Sequence, residues 1–272
     1  MPTGPVPLPA APLKWPAEAI WEAVFAALPG LSVEVLPRVD STNSELMRRA
    51  RAGLADPVLL VGERQIAGRG RLGRDWQSDT AGAGGTLTFS LGLPLQPQDW
   101  SGLSLAVGLS VVRSLHPDLQ LKWPNDVWWQ GRKLAGILIE TTSVGEERYA
   151  VIGVGINISP MTPSESAGLR TPPAALQELL PALDAPAALQ RVAAPLVHAV
   201  LQFASEGFAP LQDAFRSRDL LFGQPVVCTN GTRGMASGVD SSGALLVHTE
   251  AGMVSIHSAE VSVRQGPLAP PP

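Results

Sequence analysis

Residues 68–76 read Gly-Arg-Gly-Arg-Leu-Gly-Arg-Asp-Trp. Four arginines, Arg64, Arg69, Arg71 and Arg74, crowd this neighbourhood of a chain whose net charge is −4. The intervening glycines let the backbone bend sharply and come close to a ligand. Guanidinium groups carry a fixed charge and planar, forked donors suited to phosphate and carboxylate. Such a stretch is either a solvated basic surface loop or a cover for a small anionic ligand. The flanking residues favour the second. Val58–Val61 reads as a short strand leading into the run, and Thr86–Leu93 alternates Leu87, Phe89, Leu91 and Leu93, as a half-buried strand does.

Outward from there, Ile20, Trp21, Val24, Phe25 and Leu28 recur at helical spacing before Pro29-Gly30, and Val33–Leu36 suits a strand. Thr42-Asn43-Ser44-Glu45 matches a capping box, with Leu46, Met47 and Ala50 on one face behind it and Gly53 as a stop. The pattern predicts a helix over 104–115, a strand stub at Leu121–Trp123, a hairpin from Val127–Trp129 to Leu134–Glu140, and a strand at Tyr149–Asn157. Residues 160–185 are loop-like, with a short helix near Ala174–Leu180. Leu189, Val192, Leu196, Val200 and Phe203 form one stripe of a long helix over 186–206, and another helix covers Ala209–Arg218. After Leu220 short apolar segments (Val226-Val227, Leu245–Val247, Val254–Ile256, Val261–Val263) alternate with turns, which suits a small β-barrel or sandwich.

Composition narrows the function classes. The 272 residues, 45% hydrophobic and 16% charged, suit one large folded domain with a small appendage. A pI of about 5.6 offers no global field for nucleic acid. Cys228 is the sole cysteine, which excludes an internal disulfide framework and a Cys-rich metal site. His116, His198, His248 and His257 show no metal-ligand spacing. The proline-rich start, Met1–Pro12, lacks the basic and apolar regions of a signal peptide, and Leu103–Val112 is too short and interrupted to span a bilayer. A cytoplasmic location without a membrane partner is expected.

Two glycine-rich stretches imitate nucleotide motifs and fail. Gly82–Thr86 has no lysine after its glycines, so it is no P-loop. Gly153-Val154-Gly155-Ile156-Asn157 lacks the third glycine of a dinucleotide fingerprint. Its glycine pair instead lets a planar ring or another backbone approach the strand, and Asn157 offers an amide beside it. Lys122-Trp123-Pro124-Asn125-Asp126 and Arg132–Leu138 place two lysines around a tryptophan-rich hairpin.

In order along the chain, Ser41-Thr42-Asn43, Glu63–Arg71, Trp76, Lys122–Asp126, Arg132–Leu138 and Gly153–Asn157 resemble a biotin–protein ligase. The likeness runs from about Val39 to Val263. It implies an α+β fold: a mixed β-sheet catalytic domain like that of class II aminoacyl-tRNA synthetases and biotinyl/lipoyl ligases, followed by a small SH3-like β-barrel. The expected division is a leader with a short helix (1–30), a catalytic domain (31–220) and the SH3-like domain (221–266). About forty residues precede Ser41, too few for the winged helix-turn-helix of bifunctional members, so the monofunctional type is expected.

The family reaction joins the biotin carboxylate to the α-phosphorus of ATP, then passes the acyl group to a lysine on a biotin carboxyl carrier domain of a carboxylase. The resemblance assigns Lys133, Arg69 and Arg71 to charge neutralisation, with Mg²⁺ as the divalent ion and its ligands unassigned. It places Ser41, Thr42, Asn43, Gln65, Arg69, Gly70, Arg71, Lys133 and Gly136 around biotin. Trp76, Lys122, Asn125, Asp126 and Asn157 fall around ATP or the adenylate. A lipoate–protein ligase shares this chemistry but carries a different glycine-rich motif. A biotin-responsive DNA-binding regulator is disfavoured by the acidic charge, so no nucleic-acid partner is expected. Oligomeric state, a homodimer included, is not legible.

Overall fold

Seven strands between Ser32 and Asn157 pair into one mixed sheet. The computed structural model describes residues 13–78, 84–169, 171–257 and 263–265. The proline-rich leader over 1–12, residues 79–83 of the glycine-rich segment, Val261 and the tail beyond 265 lie outside the described residues. In chain order the elements are α1 (Ala17–Val24), β1 (Ser32–Leu36), α2 (Thr42–Arg51), β2 (Val58–Gly62), β3 (Thr86–Pro94), α3 (Leu103–Leu115), β4 (Gln120–Lys122), β5 (Asp126–Trp129), β6 (Arg132–Val144) and β7 (Glu147–Asn157). There follow α4 (Pro163–Ser166), α5 (Ala185–Glu206), α6 (Gln212–Arg216), β8 (Pro225–Cys228), β9 (Arg233–Val239), β10 (Leu245–Thr249), β11 (Gly252–Ile256) and β12 (Val263–Gln265).

The large sheet has the order β1-β2-β3-β7-β6-β5-β4. β1 and β2 are parallel and every other neighbouring pair is antiparallel. Its central strands β3 and β7 bury apolar residues against α3 and α5. The α5 stripe of Leu189, Val192, Leu196, Val200 and Phe203 is buried as its spacing requires, and Asp184 caps the helix by accepting from Ala187 N–H. On the opposite face α2 packs Leu46, Met47 and Ala50 on Leu60, Tyr149 and Val151. At ten residues α2 spans only about 15 Å. It leaves the middle of β6 and β7 uncovered by a helix, and the functional cavity lies there.

Several local expectations shift for physical reasons. β3 is buried on both faces, not one, because α2 covers its polar side. Its hydroxyls are satisfied there; Thr88 Oγ1 donates to the Gly62 carbonyl at 2.8 Å. The α2 cap is Ser41, one residue earlier than the capping-box pattern suggests: its Oγ accepts from Ser44 N–H, while Thr42 bonds elsewhere. The α1 helix ends at Val24, the Ala174–Leu180 helix is a single 3-10 turn at Leu176–Glu178, and the Ala209–Arg218 helix breaks into a 3-10 turn and α6. β9, Arg-Gly-Met-Ala-Ser-Gly-Val, escapes pattern reading because it lacks a β-branched run; pairing with β8 and β10 makes it a strand.

The C-terminal strands form an antiparallel sheet of order β11-β10-β9-β8-β12, in keeping with the small β module expected there. It is tied to the large sheet's flank. Trp123 Nε1 donates to the Gly243 carbonyl at 3.0 Å, and Gln212 Nε2 donates to the Val239 carbonyl at 2.7 Å. Among the described residues no helix is long and apolar enough to cross a membrane.

Asp219 lies at this joint, beside β4. Burial pushes its carboxyl up to about 6, against N–H bonds from Leu221 and Phe222 that pull it down. Its Oδ2 is buried without a partner among the described residues. A folded-state pKa above the ordinary 3.8 means that protonation favours the fold. The stability is fully present below the unfolded value and is lost as pH rises through about 6. Asp219→Asn keeps an acceptor for Leu221 N–H without the buried charge. It should therefore gain about 1–3 kcal/mol over the parent near neutral pH. Denaturant midpoints should show that gain shrinking to nothing near pH ~4; a gain independent of pH would refute the account.

Candidate active site

Register builds the floor of the site. Thr88 on β3, Gly155 on β7 and Gly136 on β6 stand in one cross-strand row. Ser90, Gly153 and Leu138 form the next. Alternation along β7 sends Ile152, Val154 and Ile156 into the core and leaves glycines facing the cavity. The bare backbone admits two side chains. A Cβ at Gly155 would stand 2.5 Å from the Trp76 ring, and one at Gly136 would stand 3.2 Å from it. A Cβ at Gly153 would collide with Asn43 Oδ1. The planar ring for which the glycine pair leaves room is thus Trp76.

The first wall is the start of α2. Gln65 Oε1 accepts from Thr42 N–H at 2.8 Å and from Thr42 Oγ1 at 3.1 Å. Ser90 Oγ lies 2.6 Å from Asn43 Oδ1 and 2.7 Å from Thr42 Oγ1. Ser90 has one proton, and Asn43 Oδ1 can only accept, so that proton belongs to Asn43. The Thr42 hydroxyl then donates toward Gln65 or Ser90. Asn43 Nδ2 donates to the Leu138 carbonyl and to Glu140 Oε2 at 3.0 Å. Both ends of that amide are held by protein. Ser41, Thr42, Asn43 and Gln65 are all buried and all line the cavity.

The Gly-Arg run is the second wall. Trp76 N–H donates to the Gly68 carbonyl, Gly70 N–H donates to the Arg74 carbonyl at 2.7 Å, and the Arg69 and Asp75 backbones pair antiparallel. Leu72 and Gly73 both have positive φ, 58° and 68°. The run is therefore a small hairpin closed by a two-residue turn of the kind that matches strand twist. Leucine is poorly suited to that backbone region. Arg69 Nη2 pairs with Glu140 Oε2 at 2.8 Å. Arg71 Nη1 reaches Asn125 Oδ1 at 3.4 Å, and Asn125 Nδ2 is anchored on the Ile137 carbonyl at 2.7 Å.

At the far end Lys133 Nζ meets Asp126 Oδ1 at 2.7 Å and lies 5.7 Å from the Trp76 ring centre. Lys122 Nζ sits 4.7 Å over Trp128. Burial lowers the Lys122 and Arg71 pKa values, with the Asp126 charge opposing in each case. The cavity, open to solvent on one side, is about 150 Å³. Five cations (Arg69, Arg71, Arg74, Lys122, Lys133) and two carboxylates (Asp75, Asp126) line it, a surplus that suits an anion.

Of the residues singled out from sequence, Ser41, Thr42, Asn43, Gln65, Arg69, Gly70, Arg71, Trp76, Lys122, Asn125, Asp126, Lys133 and Gly136 share this one cavity. Asn157 does not line it. Its Nδ2 donates to the carbonyls of Ala174 and Lys133, so it braces the β6 start behind Lys133. Sequence reading missed Ser90 and Glu140, which do not line the cavity but hold Thr42, Asn43 and Arg69 in place. Their only sequence signal is a polar residue in an apolar strand. Cys228 is buried on β8 outside the cavity, and burial pushes its thiol up, so it offers no nucleophile here. Ser90→Ala should leave Asn43 Oδ1 without its donor and cost about 1–3 kcal/mol. Chemical denaturation measures this; a loss below about 0.5 kcal/mol would mean the network is not formed.

Comparison with known proteins gives the arrangement its family. The description "Biotin/lipoate A/B protein ligase family" matches residues 35–157, and "Biotin protein ligase C terminal domain" matches 221–264. The chain is similar to the biotin–[acetyl-CoA-carboxylase] ligase of Paracoccus denitrificans, 35% identical over 246 residues, 84% of this chain and 98% of that one. It is also similar to the bifunctional ligase/repressor BirA of Escherichia coli strain K12, 36% identical over 252 residues, 87% of this chain and 78% of that one. Among solved structures, the biotin protein ligase from Aquifex aeolicus in complex with biotin and ATP aligns with a TM-score of 0.72 at 28% identity, covering 86% of this chain and 99% of that one. With its sheet, its C-terminal module and its sequence all in agreement, the chain belongs to the biotin–protein ligase family.

Proposed function

We infer that this chain is a ligase that uses ATP to join biotin to a lysine of a carboxylase carrier domain, through biotinyl-AMP. One observation carries the site assignment: a single cavity has a wall of hydroxyls and amides at one end and a surplus of cations at the other. Biotin has the same polarity. Its ureido head needs donors and acceptors, its chain needs an apolar slot, and its carboxylate needs positive charge.

In this reading Ser41, Thr42, Asn43 and Gln65 take the ureido ring, the last two through groups that their neighbours orient. The glycine floor with Gly136 and Leu138 takes the chain. Trp76, its Nε1 edge packed on Gly155, offers its indole face to the adenine. Arg69, Arg71 and Lys133 surround the reacting groups, with Lys122, Asn125 and Asp126 on the phosphate side. Asn157 acts by holding the Lys133 backbone. A catalytic unit over 31–220 and a smaller unit over 221–266 divide the chain.

The first step brings a carboxylate up to a polyphosphate, two anions that repel each other. Fixed cations compensate the charge that builds at the α-phosphate, and their partners hold them in place before the substrate arrives. Mg²⁺ fits as an ion carried by the triphosphate. Only Asp75 and Asp126 line the cavity, Asp126 is already paired with Lys133, and no cluster of three Asp, Glu, His or Cys occurs among the described residues. An ion that keeps several waters and one or two carboxylates needs no more from the protein. The mixed anhydride would hydrolyse in open water, so the hairpin over 68–76 has to shield it.

The lipoate reading loses ground on the match of 221–264 to a biotin protein ligase module. Incubation with ATP, Mg²⁺, a carrier domain and either acid tests the assignment by carrier mass. One added biotinyl group with biotin and no change with lipoate is expected; the reverse would overturn it. Lys133→Ala should lower pyrophosphate release by roughly 10²–10³ with little change in the melting temperature; near-normal release would remove Lys133 from the chemistry. Gly155→Ala should displace the Trp76 ring and raise the KM for ATP by about tenfold, ~1.4 kcal/mol, with a smaller change for biotin. Equal changes for both substrates would argue against an indole–adenine contact.

A further inference from the structure

A second cavity, of about 220 Å³, adjoins the first and shares Arg71, Asn125 and Ile137 with it. Trp100, Leu103 and Ile139 supply the rest of its apolar wall, and Ser104 contributes a hydroxyl held on the Pro124 carbonyl. The two cavities differ in charge. Five cations line the first, whereas Arg71 is the sole charged side chain of the second. With one fixed charge the second serves a polyphosphate poorly, and its apolar side chains beside the polar groups of Ser104 and Asn125 suit a methylene stem that ends in a polar tip.

We propose that this second cavity admits the acceptor lysine of the carrier domain, its methylene stem between Trp100 and Ile139 and its amine beside Asn125. The proposal rests on the ligase reading above. A lysine stem buries its methylenes against apolar walls and carries its nitrogen at the tip. The shared residues place that tip at the boundary of the two cavities, where the acyl carbon of the adenylate is expected. A cation at the boundary also favours the neutral, nucleophilic amine over the ammonium. The ammonium loses a proton to water on entry. The nitrogen lone pair then forms the amide bond to the acyl carbon, and the carbon–oxygen bond to phosphate breaks. AMP leaves with that electron pair, and the nitrogen's surplus proton goes to water.

Ile139→Lys tests this, because it puts another aminobutyl stem where the acceptor's would lie; Trp100→Ala removes the opposite wall. Neither residue lines the first cavity. Pyrophosphate release with biotin and ATP reads the first step. Single-turnover transfer from preformed, enzyme-bound biotinyl-AMP to the carrier reads the second. Both variants should keep the first step within about twofold and slow transfer by about tenfold or more. Free n-butylamine, which needs no carrier docking, should likewise be blocked by Ile139→Lys. Transfer at the parent rate in both folded variants would overturn the proposal. So would a loss confined to adenylation, which would make the cavity a phosphate path, or an equal loss in both steps. If the parent protein makes no biotinyl-AMP, the ligase reading itself fails, a result distinct from any loss confined to transfer.

Discussion

The site depends on side chains that are absent. Gly153 and Gly155 on β7, with Gly136 beside them on β6, remove the Cβ layer from the middle of the sheet. Glycine within a strand costs about 0.5–1 kcal/mol relative to alanine. The same strand offsets that cost on its other face, where Ile152, Val154 and Ile156 are buried against the helices. The missing layer lets the Asn43 amide and the Trp76 indole rest on backbone. Both walls of the cavity are positioned by that contact: the α2 start leans on Gly153 and the 68–76 hairpin leans on Gly155. A methyl group at either position would move a wall.

Over this floor the charges are arranged before any ligand binds. Glu140 holds Arg69 and Asn43 together, Asp126 holds Lys133, and Asn125 links Arg71 to the β6 backbone. A cation tied to a partner loses less freedom when substrate arrives than a free one does. Ser90, Thr42, Asn43 and Gln65 form a buried hydrogen-bond network, a setting in which satisfied polar groups rigidify and orphaned ones are costly. Arg71 and Lys122, both partly buried, carry the desolvation cost, which is why burial depresses both.

The C-terminal sheet takes part through contact with the same segment. Trp123, within the run Lys122–Asp126, donates to Gly243 in the turn between β9 and β10, and Val263 of β12 lines the first cavity. The strand stub β4 is fixed by bonds with Arg218 and Leu220. Lys122 and Asn125 therefore owe their positions partly to residues about a hundred positions later.

Much of the fold was legible in the sequence because its signals are local. The period of α5, the alternation in β3, the glycine pair of β7 and the glycine-spaced arginines each lie within a few turns or one strand. The ordered motifs from Ser41 to Asn157 were sufficient for the family, and with it the mixed sheet and the β-rich end. Tertiary structure alone decided the rest. Ser90 meets Asn43 across 47 positions and Glu140 meets it across 97, through strand register that no local pattern encodes. Register also turned the glycines of β7 toward the cavity, while Asn157, on the same face, lies beyond its end and gives its amide to the carbonyls of Lys133 and Ala174. β9 became a strand only through its neighbours, and the cap of α2 moved to Ser41 because Thr42 had a better partner in Gln65. Residue types and spacings are written along the chain; which of them face one another depends on a sheet whose hydrogen bonds join distant segments.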